Sequence, residues 1–121
     1  MVDALRRVHA SLRRGGVLID VRPALEPAPR VELRGRVVAR LAPLDMTRHS
    51  TADAAVRSLV AEEKLRPTRS GRFWYRHTFP DRKALIDWVE GRDDWTVDRR
   101  LIPRGRPTLR RAVHFAHYRT S

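Results

Sequence analysis

The chain has 121 residues, of which 26 are lysine or arginine and 14 are aspartate or glutamate, so its formal net charge is +12. It contains no cysteine, which excludes disulfides, thiolate metal sites and cysteine nucleophiles. No apolar run approaches the roughly 18–20 residues that span a bilayer. The length predicts one domain over residues 1–121, and the 41% hydrophobic content is typical of a globular chain. We therefore expect a soluble, cytoplasmic protein without membrane contact, whose positive field attracts phosphates or acidic partners.

The N-terminal stretch predicts a helix, a tight turn and a strand. Leu5 and the apolar residues at i+3 and i+7 form one face of an amphipathic helix, which we place at Val2–Arg13. Glycine reaches positive φ cheaply, so the pair Gly15-Gly16 ends the helix and turns the chain. The β-branched run Val17–Val21 then predicts a buried strand of a mainly parallel sheet.

Strand and helix patterns alternate in the rest of the chain. Residues of period two on either side of Arg34-Gly35 predict a β-hairpin over Arg30–Leu41, after a proline-rich connector at Arg22–Pro29. The next predicted elements are a loop at Pro43–His49 and a helix that begins at Ser50 or Thr51, with a capping box to Asp53, and ends before Pro67. They are followed by a strand at Arg72–Phe79, a helix capped by Asp81 and Gly91, an irregular segment at Arg92–Thr108 and a strand at Arg110–Arg119.

The penultimate predicted strand alternates aromatic and basic residues. Phe73, Tyr75 and Phe79 share one face, which we expect to pack in the core. Trp74 and Arg76 lie on the other face. Aromatic rings beside arginines are a means of holding single-stranded nucleic acid, so this strand is either core packing or part of a nucleic-acid surface.

The N-terminal helix, the sequence LRRGG and the apolar strand resemble the fourth helix and fifth strand of class I S-adenosylmethionine-dependent methyltransferases. That family commonly has LRPGG, and Arg14 stands where the family has proline. The resemblance covers most of the chain: Val17–Val21 is similar to the fifth strand, Arg72–Phe79 to the sixth, and Arg110–Arg119 to an antiparallel seventh strand between them. It implies an α/β fold, a partial Rossmann-like methyltransferase sheet with flanking helices and an inserted hairpin.

The resemblance places the cofactor site in the half of the fold that this sequence does not match. There, a glycine-rich loop follows the first strand and an acidic residue ends the second. Here the Gly15-Gly16 pair precedes a strand instead. We expect no cofactor to be bound by this chain alone, with S-adenosylmethionine implied by the resemblance only, and whether the chain is an enzyme stays open.

A missing neighbour for the first strand has a consequence for assembly. The fourth strand of the family would flank Val17–Val21, and an apolar strand edge left open is an association surface. We predict that this edge pairs with a second copy of the chain, as a homo-oligomer, or with a separate chain that carries the cofactor-binding half.

Seven residues are candidate binding residues. Asp20, Arg22 and His49 are candidate substrate-facing residues, because open α/β sheets bind ligands beyond the carboxyl ends of their strands; the alternative is a turn or surface role. The densest basic stretch is a candidate site for phosphate or nucleic acid, or else an exposed loop. It contains Arg104, Arg106, Arg110 and Arg111.

Two functions are consistent with these patterns. The first is a methyltransferase-like fragment that is not competent alone and completes or assembles with a cofactor-binding half, or self-associates. The alternative is a small basic protein that binds nucleic acid or an acidic partner. No residue set predicts a metal site.

Overall fold

A computed structural model describes residues 2–121, with the side chains of residues 4–121. The helices are α1 (Val2–Ser11), α2 (Thr47–Ala61) and α3 (Arg82–Glu90), and a 3-10 turn covers Arg99–Leu101. The strands are β1 (Val17–Pro23), β2 (Arg30–Leu33), β3 (Arg36–Arg40), β4 (Ala42–Pro43), β5 (Leu65–Thr78), β6 (Trp95–Thr96) and β7 (Thr108–Thr120). The result is a mixed α/β fold with an open antiparallel sheet and three helices.

The long strand β7 is the centre of the main sheet. The strand order is β1-β7-β2-β3, and β5 also pairs with β7, while β4 and β6 form a separate two-stranded sheet. Gly15 N, before β1, donates to Thr120 O (3.1 Å), and Ala24 N, after β1, donates to Ala112 O (2.8 Å). Because the chain numbers rise along β1 as they fall along β7, the two strands are antiparallel. β7 therefore pairs with the first strand and with the aromatic strand, and the assignment of these three strands to a methyltransferase sheet stays a prediction. The expectation of a mainly parallel sheet is wrong within this chain, because β1 bonds to a strand of opposite direction.

The inserted hairpin is confirmed. β2 and β3 pair antiparallel, and the turn between them places Arg34 at φ 52° and Gly35 at φ 76°. Positive φ at both central residues is typical of the turn that matches the twist of a two-residue hairpin. β2 also pairs antiparallel with the start of β7, so Arg30 lies opposite Arg40 on one side and Arg110 on the other.

The chain divides into two compact units. One contains residues 1–22, 46–71 and 114–121, and the other contains residues 23–45 and 72–113. We call them the α1–α2 unit and the hairpin unit. The expectation of one domain stays a prediction.

In the α1–α2 unit, two helices cover one face of the strands. The buried cluster consists of Val56, Leu59, Leu65, Ala116 and Tyr118, with Leu5, Leu18 and Val60 packed against it. Along β1 the side chains alternate, so Leu18 faces this cluster while its neighbours face away. The α1–α2 unit therefore buries one face of its sheet.

The other face of β1 is exposed. Val17, Ile19 and Val21 have 47%, 55% and 57% of their surface accessible. The expectation that this strand is buried is wrong for these residues, because α1 and α2 pack on the opposite face. Beside them on β7, the ring of Phe115 lies so close to Gly71 that a Cβ there would be 2.6 Å from the ring.

The hairpin unit has its own core around α3. The side-chain oxygen of Asp81 accepts a hydrogen bond from Ala84 N (2.8 Å), and Gly91 is the C-cap, so both predicted caps are confirmed. Trp95, which lies in the small β4–β6 sheet opposite Pro43, is also buried. The other buried apolar residues of this unit are Val31, Ala39, Leu41, Phe79, Leu85, Ile86, Val89, Ile102, Leu109 and Ala112.

Three local predictions were wrong. α2 begins at Thr47, earlier than predicted, and its N-cap Met46 makes no side-chain cap, so the predicted capping box does not form. β5 begins at Leu65, seven residues before the predicted start. Phe73 and Tyr75 are exposed rather than packed, whereas Phe79 and the half-buried His77 lie against Trp88 of α3.

Candidate functional site

Asp20 and Arg22, two of the predicted substrate-facing residues, are brought together on β1. Arg22 Nε lies 2.9 Å from Asp20 Oδ2, and Arg22 Nη2 lies 3.7 Å from Asp53 Oδ1 on α2. The pKa of the nearby Tyr118 phenol is raised, first by burial and then by the negative charge of Asp20. Arg22 is thus paired with two carboxylates, one on its own strand and one on α2, and the substrate-facing role of these residues stays a prediction.

His49, the third residue of that prediction, lies in the first turn of α2 and not on a loop. It is half-buried and belongs to the same α1–α2 unit as Asp20 and Arg22. Because α2 starts before it, the helix fixes its backbone. Asp20 and Arg22 contact one another through the hydrogen bond from Arg22 Nε to Asp20 Oδ2.

The predicted phosphate-binding stretch is split by the strand alternation of β7. Arg104 and Arg106 are exposed on the loop that precedes β7. Arg110 and Arg111 are consecutive in β7, so their side chains point to opposite faces. The four arginines therefore do not form the single basic site that their closeness in sequence predicted.

Arg111 is turned into the hairpin unit. It is 8% exposed, and its guanidinium carbon lies 5.7 Å from the centre of the Trp88 ring on α3. Burial, followed by the positive charge of Arg92, lowers its pKa, while Asp94 acts in the opposite direction. This arginine packs against an aromatic ring beneath the surface and is not available to a phosphate in solvent.

Arg110 lies on the opposite face, beside another arginine and a tryptophan. The guanidinium carbons of Arg30 and Arg110 lie 4.6 and 5.5 Å from the centre of the Trp74 ring. Glu32 is between them, with Oε2 at 3.6 Å from Arg30 Nε and Oε1 at 3.5 Å from Arg110 Nη1. Trp74 is 37% exposed, so its ring both holds the two arginines and reaches the surface.

The strand register extends this face into a row of arginines. Arg40 lies opposite Arg30, which lies opposite Arg110. On β5, the hydroxyls of Thr78 and Thr108 are 2.9 Å apart across the sheet, and side chains on one face repeat every two residues, so Arg76 joins Trp74 on this face.

We call this set the arginine–tryptophan face, defined by Arg30, Glu32, Arg40, Trp74, Arg76 and Arg110. Sequence reasoning found Trp74, Arg76 and Arg110 but missed Arg30 and Arg40. The signal that could have found them was the hairpin register, in which two arginines ten residues apart oppose one another.

The described residues offer few alternatives to this face. No group of three or more histidine, cysteine, aspartate or glutamate side chains in residues 4–121 is arranged to hold a metal ion. An open groove lies along β5 and β7 in the α1–α2 unit. It is lined by Pro67, Thr68, Arg69, Ser70, His114, Ala116 and Tyr118. None of the helices described in residues 2–121 is both long and apolar enough to cross a membrane.

The glycine pair before β1 has a structural role. Gly15 N donates to Thr120 O (3.1 Å), and Gly16 O accepts from Thr120 N (2.9 Å). These backbone groups join β1 to β7, and Gly15 adopts φ 76°, a conformation that favours glycine. Gly16 N also donates to Arg13 O (2.8 Å), so both amides of the pair are already bonded and are not free for a phosphate or a cofactor. No protein-family model, curated protein or solved structure matches the chain.

Proposed function

We propose that this chain is a methyltransferase-like half-fold that completes its sheet by pairing β1 with a strand of another chain, which is a chain that carries the cofactor-binding half or, in its absence, a second copy. The observation that carries the proposal is the state of β1. It lies at one end of the strand order, and within residues 2–121 it pairs with β7 alone. Its outer edge thus presents backbone donors and acceptors to which another strand can bond.

The strand order supports this proposal. In the resemblance to class I methyltransferases, an antiparallel seventh strand lies between the fifth and sixth strands. Here β7 pairs with both β1 and β5. The hydrogen bond from Ser121 N to Lys64 O (3.3 Å) and that from Phe79 N to Pro107 O (2.9 Å) give β5 the direction opposite to β7. β1 and β5 are consequently parallel to one another, as the resemblance requires.

The exposed face of β1 supports the proposal independently. Val17, Ile19 and Val21 are β-branched residues suited to a sheet that is covered on both faces, as in α/β folds. α1 and α2 supply one covering layer, and the second layer would come from the partner. Burying an apolar side chain of this size stabilises an interface by about 1.5–3 kcal/mol when it starts fully exposed, and these residues are about half exposed.

The residues of this chain do not fit S-adenosylmethionine. The family uses a glycine-rich turn after a strand, whereas the backbone of Gly15 and Gly16 is bonded to Thr120 of β7. We therefore derive no methyl-transfer step on this chain. Its role in the proposal is to supply the sheet edge and the apolar face that the other half lacks.

The test is association through β1. With no partner present, light scattering at tens of micromolar should give a mass above that of the monomer, and hydrogen exchange at residues 17–23 should slow as concentration rises. Ile19→Lys should abolish the association because it places a charge on the exposed face of β1. Leu44→Lys is the matched control, since Leu44 is 62% exposed and lies outside the main sheet.

Calorimetry with S-adenosylmethionine completes the test. The isolated chain should give no heat of binding. A monomer at tens of micromolar whose β1 amides exchange freely would contradict the assembly, and binding of the cofactor by the isolated chain would contradict the assignment of the cofactor site to another chain.

A further inference from the structure

We infer that the arginine–tryptophan face of the hairpin unit binds single-stranded nucleic acid. This inference goes beyond the proposed assembly, since the face belongs to residues 23–45 and 72–113, whereas β1 up to Arg22 belongs to the α1–α2 unit. The two proposals therefore stand or fall separately.

The arginine–tryptophan face is positively charged. Four of its residues are arginines, on four adjacent strands, and Glu32 is its acidic residue. Neighbouring strands are about 4.8 Å apart, so the row from Arg40 to Arg76 spans about 14 Å. A row of that length contacts more than one phosphate of an extended strand, and the net charge of +12 raises the local concentration of polyanions.

The ion pairs within the face are weak. Glu32 approaches Arg30 and Arg110 at 3.6 and 3.5 Å, at or beyond the outer limit of a hydrogen bond. One carboxylate at these distances cannot neutralise two guanidinium groups. The face keeps a positive excess, and a phosphate oxygen at 2.7–2.9 Å, the usual distance of a charge-assisted hydrogen bond, makes a better partner than Glu32 does.

Trp74 restricts two arginine side chains and presents a surface for stacking. Its ring lies within 4.6 and 5.5 Å of two guanidinium carbons, so it restricts side chains that would otherwise lose much freedom on binding. The exposed part of the ring, and the guanidinium planes beside it, are surfaces on which unpaired bases stack. Bases are accessible for stacking in single strands and not inside a duplex, which is why the geometry favours the single strand.

The experiment measures the affinity of a fluorescein-labelled oligothymidylate or oligouridylate by anisotropy at several salt concentrations. In Arg40→Gln/Arg76→Gln, two exposed arginines of the face are neutralised. We expect the slope of log Kobs against log[salt] to fall by about 0.7 for each phosphate that the variant no longer neutralises. Arg57→Gln/Arg100→Gln is the matched control, because it removes the same charge from side chains that are 81% and 89% exposed and lie outside the face. The control should keep the full slope.

Two further variants separate stacking and charge. Trp74→Leu should weaken binding about fivefold or more, and Trp74→Phe should restore most of the affinity, since base stacking on an aromatic ring contributes strongly. Glu32→Gln should tighten binding, because it removes the competing carboxylate. Oligonucleotide should quench part of the tryptophan emission of the parent chain, and Trp74→Phe should remove that change.

Three results would overturn the inference. One is an equal loss of affinity in the two double variants, which would mean attraction by net charge alone. Another is binding of duplex DNA or inorganic polyphosphate as tight as that of the single strand. The third is full affinity in Trp74→Leu together with full quenching in Trp74→Phe. Circular dichroism of each variant establishes that it is folded before its binding is compared.

Discussion

Leu18 and Ile19 are neighbours on β1 with opposite environments, and threonine substitutions at the two positions test the one-sided covering of this strand. Leu18 packs against the buried cluster around Leu59, whereas Ile19 is 55% exposed on the other face. Threonine keeps a high preference for the strand backbone, so the comparison isolates burial.

The expected magnitudes follow from those environments. A fully buried leucine side chain contributes about 1.5–3 kcal/mol, and Leu18 is partly buried, so Leu18→Thr should lower the free energy of unfolding by about 1–2 kcal/mol. For a chain of this size that corresponds to a fall in Tm of about 4–10 °C. Ile19→Thr should change the free energy of unfolding by no more than about 0.5 kcal/mol.

The assay is thermal or urea unfolding followed by far-ultraviolet circular dichroism. The protein concentration must keep the chain monomeric, because association adds apparent stability by mass action. Equal destabilisation by the two substitutions, or a larger effect at Ile19, would refute a strand covered on one face by α1 and α2.

Three other changes have expected outcomes. Hydrogen bonds from Arg6, followed by those from Lys64, lower the pKa of Glu62 from 4.5 to about 2. Because this pKa is below the unfolded value, the contribution of Glu62 to folding stability is present above about pH 4.5 and is lost as pH falls towards 2. Arg6→Gln should raise the pKa of Glu62 again, as measured by NMR titration. Asp81→Ala should cost about 0.5–2 kcal/mol in urea unfolding by removing the cap of α3, and Asp81→Asn should cost less. Leu59→Ala should cost about 2–5 kcal/mol because Leu59 is fully buried, and a cost below about 1 kcal/mol would contradict that burial.

Local signals in the sequence predicted the parts of the fold that depend on local chemistry. The hairpin turn at Arg34-Gly35 and the caps Asp81 and Gly91 follow from backbone conformation and side-chain hydrogen bonds within a few residues. The strands at residues 17–21, 72–78 and 110–119 were also predicted, from β-branched and alternating runs.

Features that depend on distant parts of the chain were predicted less well. The start of β5 was missed because Pro67 and its polar neighbours show no alternating pattern. This segment is a strand because it pairs with β7, and Thr68 Oγ1 also donates a hydrogen bond to His117 O (3.2 Å). The exposure of Phe73 and Tyr75 was missed because alternation identifies two faces without saying which helix covers them.

The candidate site was predicted in part for the same reason. The basic stretch near Arg110 was visible in the sequence, but alternation sends Arg111 into the interior, and Arg104 and Arg106 stay on a loop. The partners that Arg110 does have, Arg30 among them, come from the register of β2 on β7, which sequence spacing does not reveal.

The distribution of chromophores between the two compact units has a practical consequence. All three tryptophans, Trp74, Trp88 and Trp95, belong to the hairpin unit, whereas α1 and α2, the two longest helices, belong to the other unit. Tryptophan emission therefore follows the hairpin unit, while the ellipticity of helices follows mainly the α1–α2 unit. Melting curves recorded by the two signals on one sample reveal directly whether the units lose their structure in a single cooperative transition.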